Sequence, residues 1–252
     1  MSGREALEAA DAVTLCVTSA GRPDLLAATL SSLMATHRDA FAEVIVIDDL
    51  GDPEAARVAR SLCPGATVLL NRRPRGHLRS VDLMYRHVRT PFIFHCEDDW
   101  RFDPVPIVGA CREALRHLAS ASTVIVRKPE DVDPHYLSGA RTEFTGGTPV
   151  LVLSPSADPV FNGFSFNPGL LRVSLWRRHG PWGRFRREHD ISVAMKARGL
   201  GVVQLARGAC VHIGGGRHVK DPFQRLPSRP LPALGRRFVR PAWETFRHRV
   251  RF

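Results

Sequence analysis

The chain lacks the features of a disulfide-built or membrane-spanning protein. Its five cysteines, Cys16, Cys63, Cys96, Cys111 and Cys210, are odd in number and widely spaced, and most sit in apolar segments. That pattern excludes a disulfide framework or a zinc cluster and implies reduced, buried thiols. No apolar run approaches the roughly 18–20 residues of a membrane span. The first eight residues, Met1–Glu8, lack the apolar stretch of a secretory signal. The expected address is the cytoplasm. No internal repeat appears.

Acidic residues are scarce in one region only. Residues 217–252 hold ten Lys/Arg against two acids, Asp221 and Glu244, whereas the other 216 residues carry 26 basic and 23 acidic groups. Of the formal net charge of +11, about +8 therefore belongs to the end of the chain and +3 to its body. A basic stripe on a folded face points to nucleic acid. A terminal basic segment fits a membrane surface or an acidic partner equally well. No nucleic-acid partner is expected for the body. With 252 residues, 44% of them hydrophobic, the chain is long enough for one large α/β domain, alone or with an appendage.

The apolar run Phe92–Cys96 ends in three consecutive carboxylates, Glu97, Asp98 and Asp99. Adjacent like charges repel and resist burial, so folding alone does not call for them. Hard oxygen ligands gathered at a strand end suit a divalent cation whose shell a phosphate-bearing ligand completes; a solvated acidic turn is the plain alternative. A second acidic pair, Asp48-Asp49, follows the apolar run Val44–Ile47.

Strands are predicted at 13–18, 43–47, 66–70, 92–96 and 123–126. Helices are predicted from Pro23, over 53–62 and 77–89, and from Asp103-Pro104 through Leu118. Asp52-Pro53 supplies a cap and a first-turn proline. This alternation implies a doubly wound, mostly parallel sheet with helices on both faces, whose ligands gather at the carboxyl ends of the strands. Both acidic clusters occupy such ends. Residues 127–150 read as a long surface excursion and 150–153 as a strand. The aromatic stretch 161–172 reads as a turn-rich pocket wall or core. A helix over 188–197 and short strands at 202–205 and 210–213 follow.

In order and spacing, these segments resemble the GT-A glycosyltransferases, family 2-like, across about residues 12–216. Thr18-Ser19-Ala20-Gly21-Arg22-Pro23 is similar to the first loop and helix of that group, and Ile47-Asp48-Asp49 to its nucleotide-contacting strand end. Glu97-Asp98-Asp99 stands where the Asp-x-Asp metal motif falls, with Glu in the first place. Glu188-His189-Asp190 resembles the acidic motif that opens the acceptor-side helix, read there as Glu-Asp. Val211-His212-Ile213-Gly214 resembles the late strand whose histidine completes the metal shell. The loop Asp49–Asp52 departs from the common Gly-Ser ending.

The resemblance implies a GT-A fold and a metal-dependent transferase moving a hexosyl group from a nucleoside-diphosphate sugar to a hydroxyl, with inversion by a single displacement as the expected course. It implies Mn²⁺ or Mg²⁺ on Asp99, Glu97 and His212, the nitrogen favouring manganese. Glu188 or Asp190 becomes the base, with a helix-start charge as the alternative for either. The donor falls to Thr18, Ser19, Arg22, Asp48, Asp49, Arg79, Glu97 and Asp98. Trp100 reads as a sugar-stacking ring or a core residue. The expected organisation is an extension over 1–11, a donor and metal half over 12–126, an acceptor half over 127–216 and a basic tail over 217–252. The tail is expected to dock the enzyme on the inner face of a membrane, and a homo-oligomer is a further expectation. Two other readings compete. A sugar nucleotidyltransferase needs a glycine-rich first loop, and Thr18–Leu25 contains only Gly21. A non-catalytic nucleic-acid or membrane binder would rely on the tail.

Overall fold

The computed structural model describes residues 9–217 and Val219. The basic tail, apart from Arg217 and Val219, and most of the expected N-terminal extension lie outside the described residues.

The first half alternates as β1 (Val13–Ser19), α1 (Pro23–His37), β2 (Glu43–Asp48), α2 (Pro53–Leu62), β3 (Thr67–Leu70), α3 (His77–Tyr85) and β4 (Phe92–Glu97). A short β5 (Trp100–Phe102), α4 (Val108–His117) and β6 (Ala121–Ile125) follow. Next come a one-turn α5 (Pro134–Leu137), β7 (Arg141–Thr145), β8 (Thr148–Val152) and β9 (Gly169–Arg172). The described chain closes with α6 (Val173–His179), α7 (Glu188–Lys196), β10 (Gly201–Leu205) and β11 (Cys210–His212).

Nine strands form one sheet in the order β3-β2-β1-β4-β9-β6-β10-β8-β7. Only β8 and β9 run against the rest. Alternation along β1 feeds both faces, as a buried strand requires. Leu15 and Val17 pack with Leu26, Leu30 and Leu33 of α1 and Ala55 and Ala59 of α2, while Cys16 joins Val81 and Met84 of α3 and Met195 of α7 on the other face. Proline opens α1 and α2, and the Asp52 carboxylate accepts the Glu54 amide at 2.9 Å, capping α2. All five cysteines are buried and free. Among the described residues, no helix is long and apolar enough to cross a membrane.

The register brings the functional ends together. Ser19 lies opposite Asp48, and Thr18 opposite Glu97, so β1, β2 and β4 all deliver polar residues to one carboxyl edge. A separate two-stranded ribbon, β5 with β11, pairs Trp100 with His212 and returns the end of the described chain to that edge.

Several expectations change. The helix expected from Asp103-Pro104 starts only at Val108, because residues 100–102 are held in the ribbon with β11. The excursion over 127–150 contains the β7–β8 hairpin, turned by Gly146 and Gly147, both with positive φ. Within the aromatic stretch, Gly169–Arg172 is an antiparallel strand inserted between β4 and β6. A side chain at 169 would meet the Val124 carbonyl oxygen at 2.4 Å, so glycine permits that close approach.

Candidate active site

The three carboxylates after β4 have three different environments. Asp98 is fully buried and turned inward: its carboxylate accepts from the Ser19 hydroxyl at 2.8 Å and from Arg22 Nε at 3.2 Å, and also pairs with Arg22 Nη2. Burial pushes its pKa up to about 6 against the pull of Arg22 and Ser19. Its backbone carbonyl accepts from Thr29 Oγ1 at 2.7 Å, and the same hydroxyl oxygen accepts from the Trp100 amide at 3.0 Å. Thr29 of α1 thus fixes the turn that presents Asp99.

Asp99 faces the ribbon. Its Oδ2 lies 2.9 Å from Arg22 Nη1 and 3.2 Å from His212 Nε2, and the Ile213 amide donates to its backbone carbonyl at 2.8 Å. Burial favours the neutral acid, but His212 and Arg22 prevail and hold the carboxyl below the usual carboxylate range. Its other oxygen, Oδ1, is buried and has no hydrogen-bond partner. Gly214 leaves the space beside this pair open, since a Cβ there would come within 2.8 Å of both Asp99 Oδ2 and His212 Nε2.

These features fit a divalent cation: an orphaned carboxylate oxygen, an imidazole nitrogen 3.2 Å from the other oxygen of the same carboxylate, and a glycine that keeps bulk away. Among the described residues, no three His, Cys, Asp or Glu side chains are grouped closely enough to hold a metal by themselves. A cation held by this pair would therefore need further ligands, as at a site completed by ligand phosphates.

Glu97 is half-buried, with His77 Nε2 3.9 Å from its Oε1. Burial, followed by the charges of Asp99, Glu188 and Asp98, pushes it up to about 8, against the opposing pull of Arg22. A carboxyl raised this way favours the fold while protonated and loses that contribution as pH rises from about 4.5 through 8. In metal-free buffer, Glu97→Gln should therefore melt higher than the parent at pH 8.5, and the gap should close by pH 4.5. Equal melting curves at pH 8.5 would show that Glu97 stays ionised without penalty.

Glu188 opens α7, and its Oε1 accepts the Phe166 amide at 3.1 Å. Burial raises its pKa, while bonds from Phe166 and Ser165 hold it down in part. Asp190, two residues on, is used locally: Oδ2 accepts the Arg186 amide at 3.3 Å and Oδ1 pairs with Arg187 at 3.6 Å. Of the two acids in this motif, Glu188 is the one whose charge reaches Glu97.

The pair after β2 is committed to loop architecture. Asp48, fully buried, accepts the amides of Leu50 and Asp52 at 3.0 Å and of Gly21 at 2.8 Å, tying the first loop to the second. Asp49 accepts from Asn71 Nδ2, the Arg75 and Gly76 amides and the Ser80 hydroxyl at 2.6–3.0 Å. Both carboxylates thus accept from N–H and O–H donors of the protein that shape the loops around them. Trp100 is core: it is 2% exposed, and its ring packs against His212 at 5.2 Å. Thr18 and Ser19 are buried at the end of β1, and Arg79 is exposed on α3.

Sequence reasoning missed Thr29, and also Asp82, whose carboxylate accepts from Trp176 Nε1 and the amides of Trp182 and Gly183 at 2.7–2.8 Å. Both lie inside helices, where a polar residue gives no local sign of a partner so far along the chain.

The fold has known counterparts. S. aureus TarS 1-349 superposes with a TM-score of 0.57 at 11% identity, covering 79% of this chain and 59% of that one. The same TarS fragment in complex with UDP gives 0.55 at 10% identity, over 79% and 59%. The mannosyltransferase PcManGT from Pyrobaculum calidifontis, in complex with GDP-Man and Mn²⁺, gives 0.56 at 16% identity, over 81% and 57%. The chain thus spans less than two thirds of each of these structures. No curated protein sequence matches it. The glycosyl transferase family 2 model matches residues 14–148, more than half the chain. By that match, and by a GT-A fold shared with these structures, the chain belongs to glycosyl transferase family 2.

Proposed function

We propose that this glycosyltransferase moves a hexosyl unit from a nucleoside-diphosphate sugar to an acceptor hydroxyl by a single, metal-dependent, inverting displacement. The observation that carries the proposal is the convergence of Asp99, His212 and Glu97 with Glu188 at one edge of the sheet. The family neighbours with bound UDP, or with GDP-Man and Mn²⁺, support the donor class and the cation.

In this reading Asp99 and His212 hold the cation, and Glu97 binds either it or the donor ribose. A divalent cation there supplies Lewis-acid stabilisation of the charge that develops on the departing diphosphate. The imidazole nitrogen of His212 favours manganese over magnesium. Arg22, anchored by Asp98 and Asp99, brings a fixed positive charge to the same edge. Ser19 orders Asp98, and through it Arg22. Glu188 takes the proton of the acceptor hydroxyl onto its carboxylate, which the Phe166 amide and Ser165 orient. A double displacement needs a carboxylate nucleophile on the opposite face of the sugar; with Glu188 acting as base, the reading is one displacement, with inversion of the anomeric configuration. Residues 12–126 carry the donor and residues 127–216 the acceptor. Asp190 steadies the start of α7.

The test is release of nucleoside diphosphate from a panel of UDP-, GDP- and dTDP-sugars with Mn²⁺, with Mg²⁺ and with EDTA. Turnover of one donor, faster with Mn²⁺ and abolished by EDTA, is the expected result; slow hydrolysis counts, because water can replace the acceptor. Turnover undiminished by EDTA would overturn the metal assignment. A product NMR spectrum retaining the donor's anomeric configuration would overturn inversion.

A further inference from the structure

Beside the start of α7 lies a second concavity of about 180 Å³, walled by the 75–79 segment on one side and 183–186 on the other. Arg75, Arg79, Arg184 and Arg186 line it, and no carboxylate stands among its described lining residues. All four arginines are exposed.

Two buried acids hold these walls in place. Asp49 is buried under the first wall and accepts the Arg75 and Gly76 amides at 2.8 and 3.0 Å. Asp82 is buried under the second and accepts the Trp182 and Gly183 amides at 2.8 and 2.7 Å. Each carboxylate is met by N–H donors of the loop it supports. Gly183 brings the walls together: a Cβ there would lie 2.8 Å from Arg79 Cγ. Arg184 is held over the Phe185 ring at 4.8 Å, with Nη2 donating to the His179 carbonyl at 2.9 Å.

The size of the cleft limits its occupant. Whole-ligand pockets run from about 300 to 1,000 Å³, so a cleft of about 180 Å³ takes one charged end of a molecule and no more. Its place sets the direction of approach. Arg186 lies two residues before Glu188, and Gly76 adjoins His77, whose ring stands 3.9 Å from Glu97. The ribbon bearing His212 contributes nothing to the lining. An occupant therefore reaches the site from the side of the base.

We propose that this arginine cleft is a subsite for the acceptor, taking a phosphate group carried by the molecule whose hydroxyl is glycosylated. Guanidinium forks match phosphate oxygens in pairs, and four of them suit a dianion better than a single carboxylate. The assignment rests on Glu188 as the base, and so on the function proposed above.

The test uses calorimetric titration of the full chain, with UDP or GDP present at saturation with Mn²⁺ so that the donor's phosphate positions are filled. Glucose 6-phosphate is the probe and glucose its uncharged control. The phosphate ester should bind alongside the nucleotide and glucose should not. The double variant Arg184→Ser/Arg186→Ser should weaken the ester at least tenfold. Arg57→Ser, which removes an exposed arginine of α2, should leave ester binding at the parental value. Displacement of the nucleotide by the ester would assign the cleft to the donor and overturn the proposal. So would ester binding unaffected by the double variant, or no ester binding in the presence of bound nucleotide. A chain that binds the ester but neither nucleotide would remove the donor reading itself, and the acceptor assignment with it.

Discussion

Glu188→Gln should lower kcat for glycosyl transfer by about 10²–10⁴-fold, the usual contribution of a positioned general base. Glutamine keeps an oxygen for the Phe166 amide, which donates to Glu188 at 3.1 Å, so the start of α7 should persist. What disappears is the proton acceptor. Burial raises the Glu188 pKa above the ordinary glutamate value of 4.5. A base must be ionised to act, so the acid limb of kcat should lie above 4.5, and rate should rise as pH climbs through the raised pKa. Asp190→Asn should cost far less, because Asp190 is spent on the Arg186 amide and the Arg187 side chain. Rates of the two variants across pH 4–9 check this. A Glu188→Gln enzyme with more than a tenth of parental kcat, or a larger loss in Asp190→Asn, would move the base to Asp190.

The contrast between these two acids shows where sequence reading reaches its limit. The order of β1, α1, β2, α2, β3, α3 and β4 was legible because apolar periodicity, prolines and the Asp52 cap are local signals. Placement of both acidic clusters at one edge then followed from parallel pairing. The fate of each carboxylate did not. Asp48 and Asp49 look like ligand-binding acids in sequence, yet their partners are loop amides, some more than 25 residues away. The strand at 210–213 is legible, but its pairing with β5 is not: β5 has three residues, too few for an alternating pattern, and the two strands pair across more than a hundred residues. Strand β9 was read as pocket wall or core because four residues, one of them glycine, carry almost no periodic signal. What made His212 visible was its motif, and only the ribbon accounts for its position beside Asp99.

Asp99→Asn should lower kcat/KM by about 10²–10³-fold, comparable to losing one preorganised group that stabilises developing charge. The geometry explains why the loss would be specific. Oδ2 of Asp99 is engaged by Arg22 and His212, whereas Oδ1 is buried without a partner. An unsatisfied buried acceptor costs about 1–3 kcal/mol. With Asp99 and His212 as ligands, a cation would remove that cost by engaging the Asp99 carboxylate, and asparagine could not supply the charge to hold it. Arg22 keeps its paired contact with Asp98 in the variant, so the first loop should hold its place. Two measurements separate binding from folding. In EDTA, Asp99→Asn should melt within a few degrees of the parent; on adding Mn²⁺ and UDP or GDP, the parent should gain stability and the variant should not. Equal Mn²⁺-dependent gains in both proteins would show that Asp99 is not a ligand. The orphaned oxygen would then be a packing cost, and Arg22 would become the main counter-charge for the departing diphosphate.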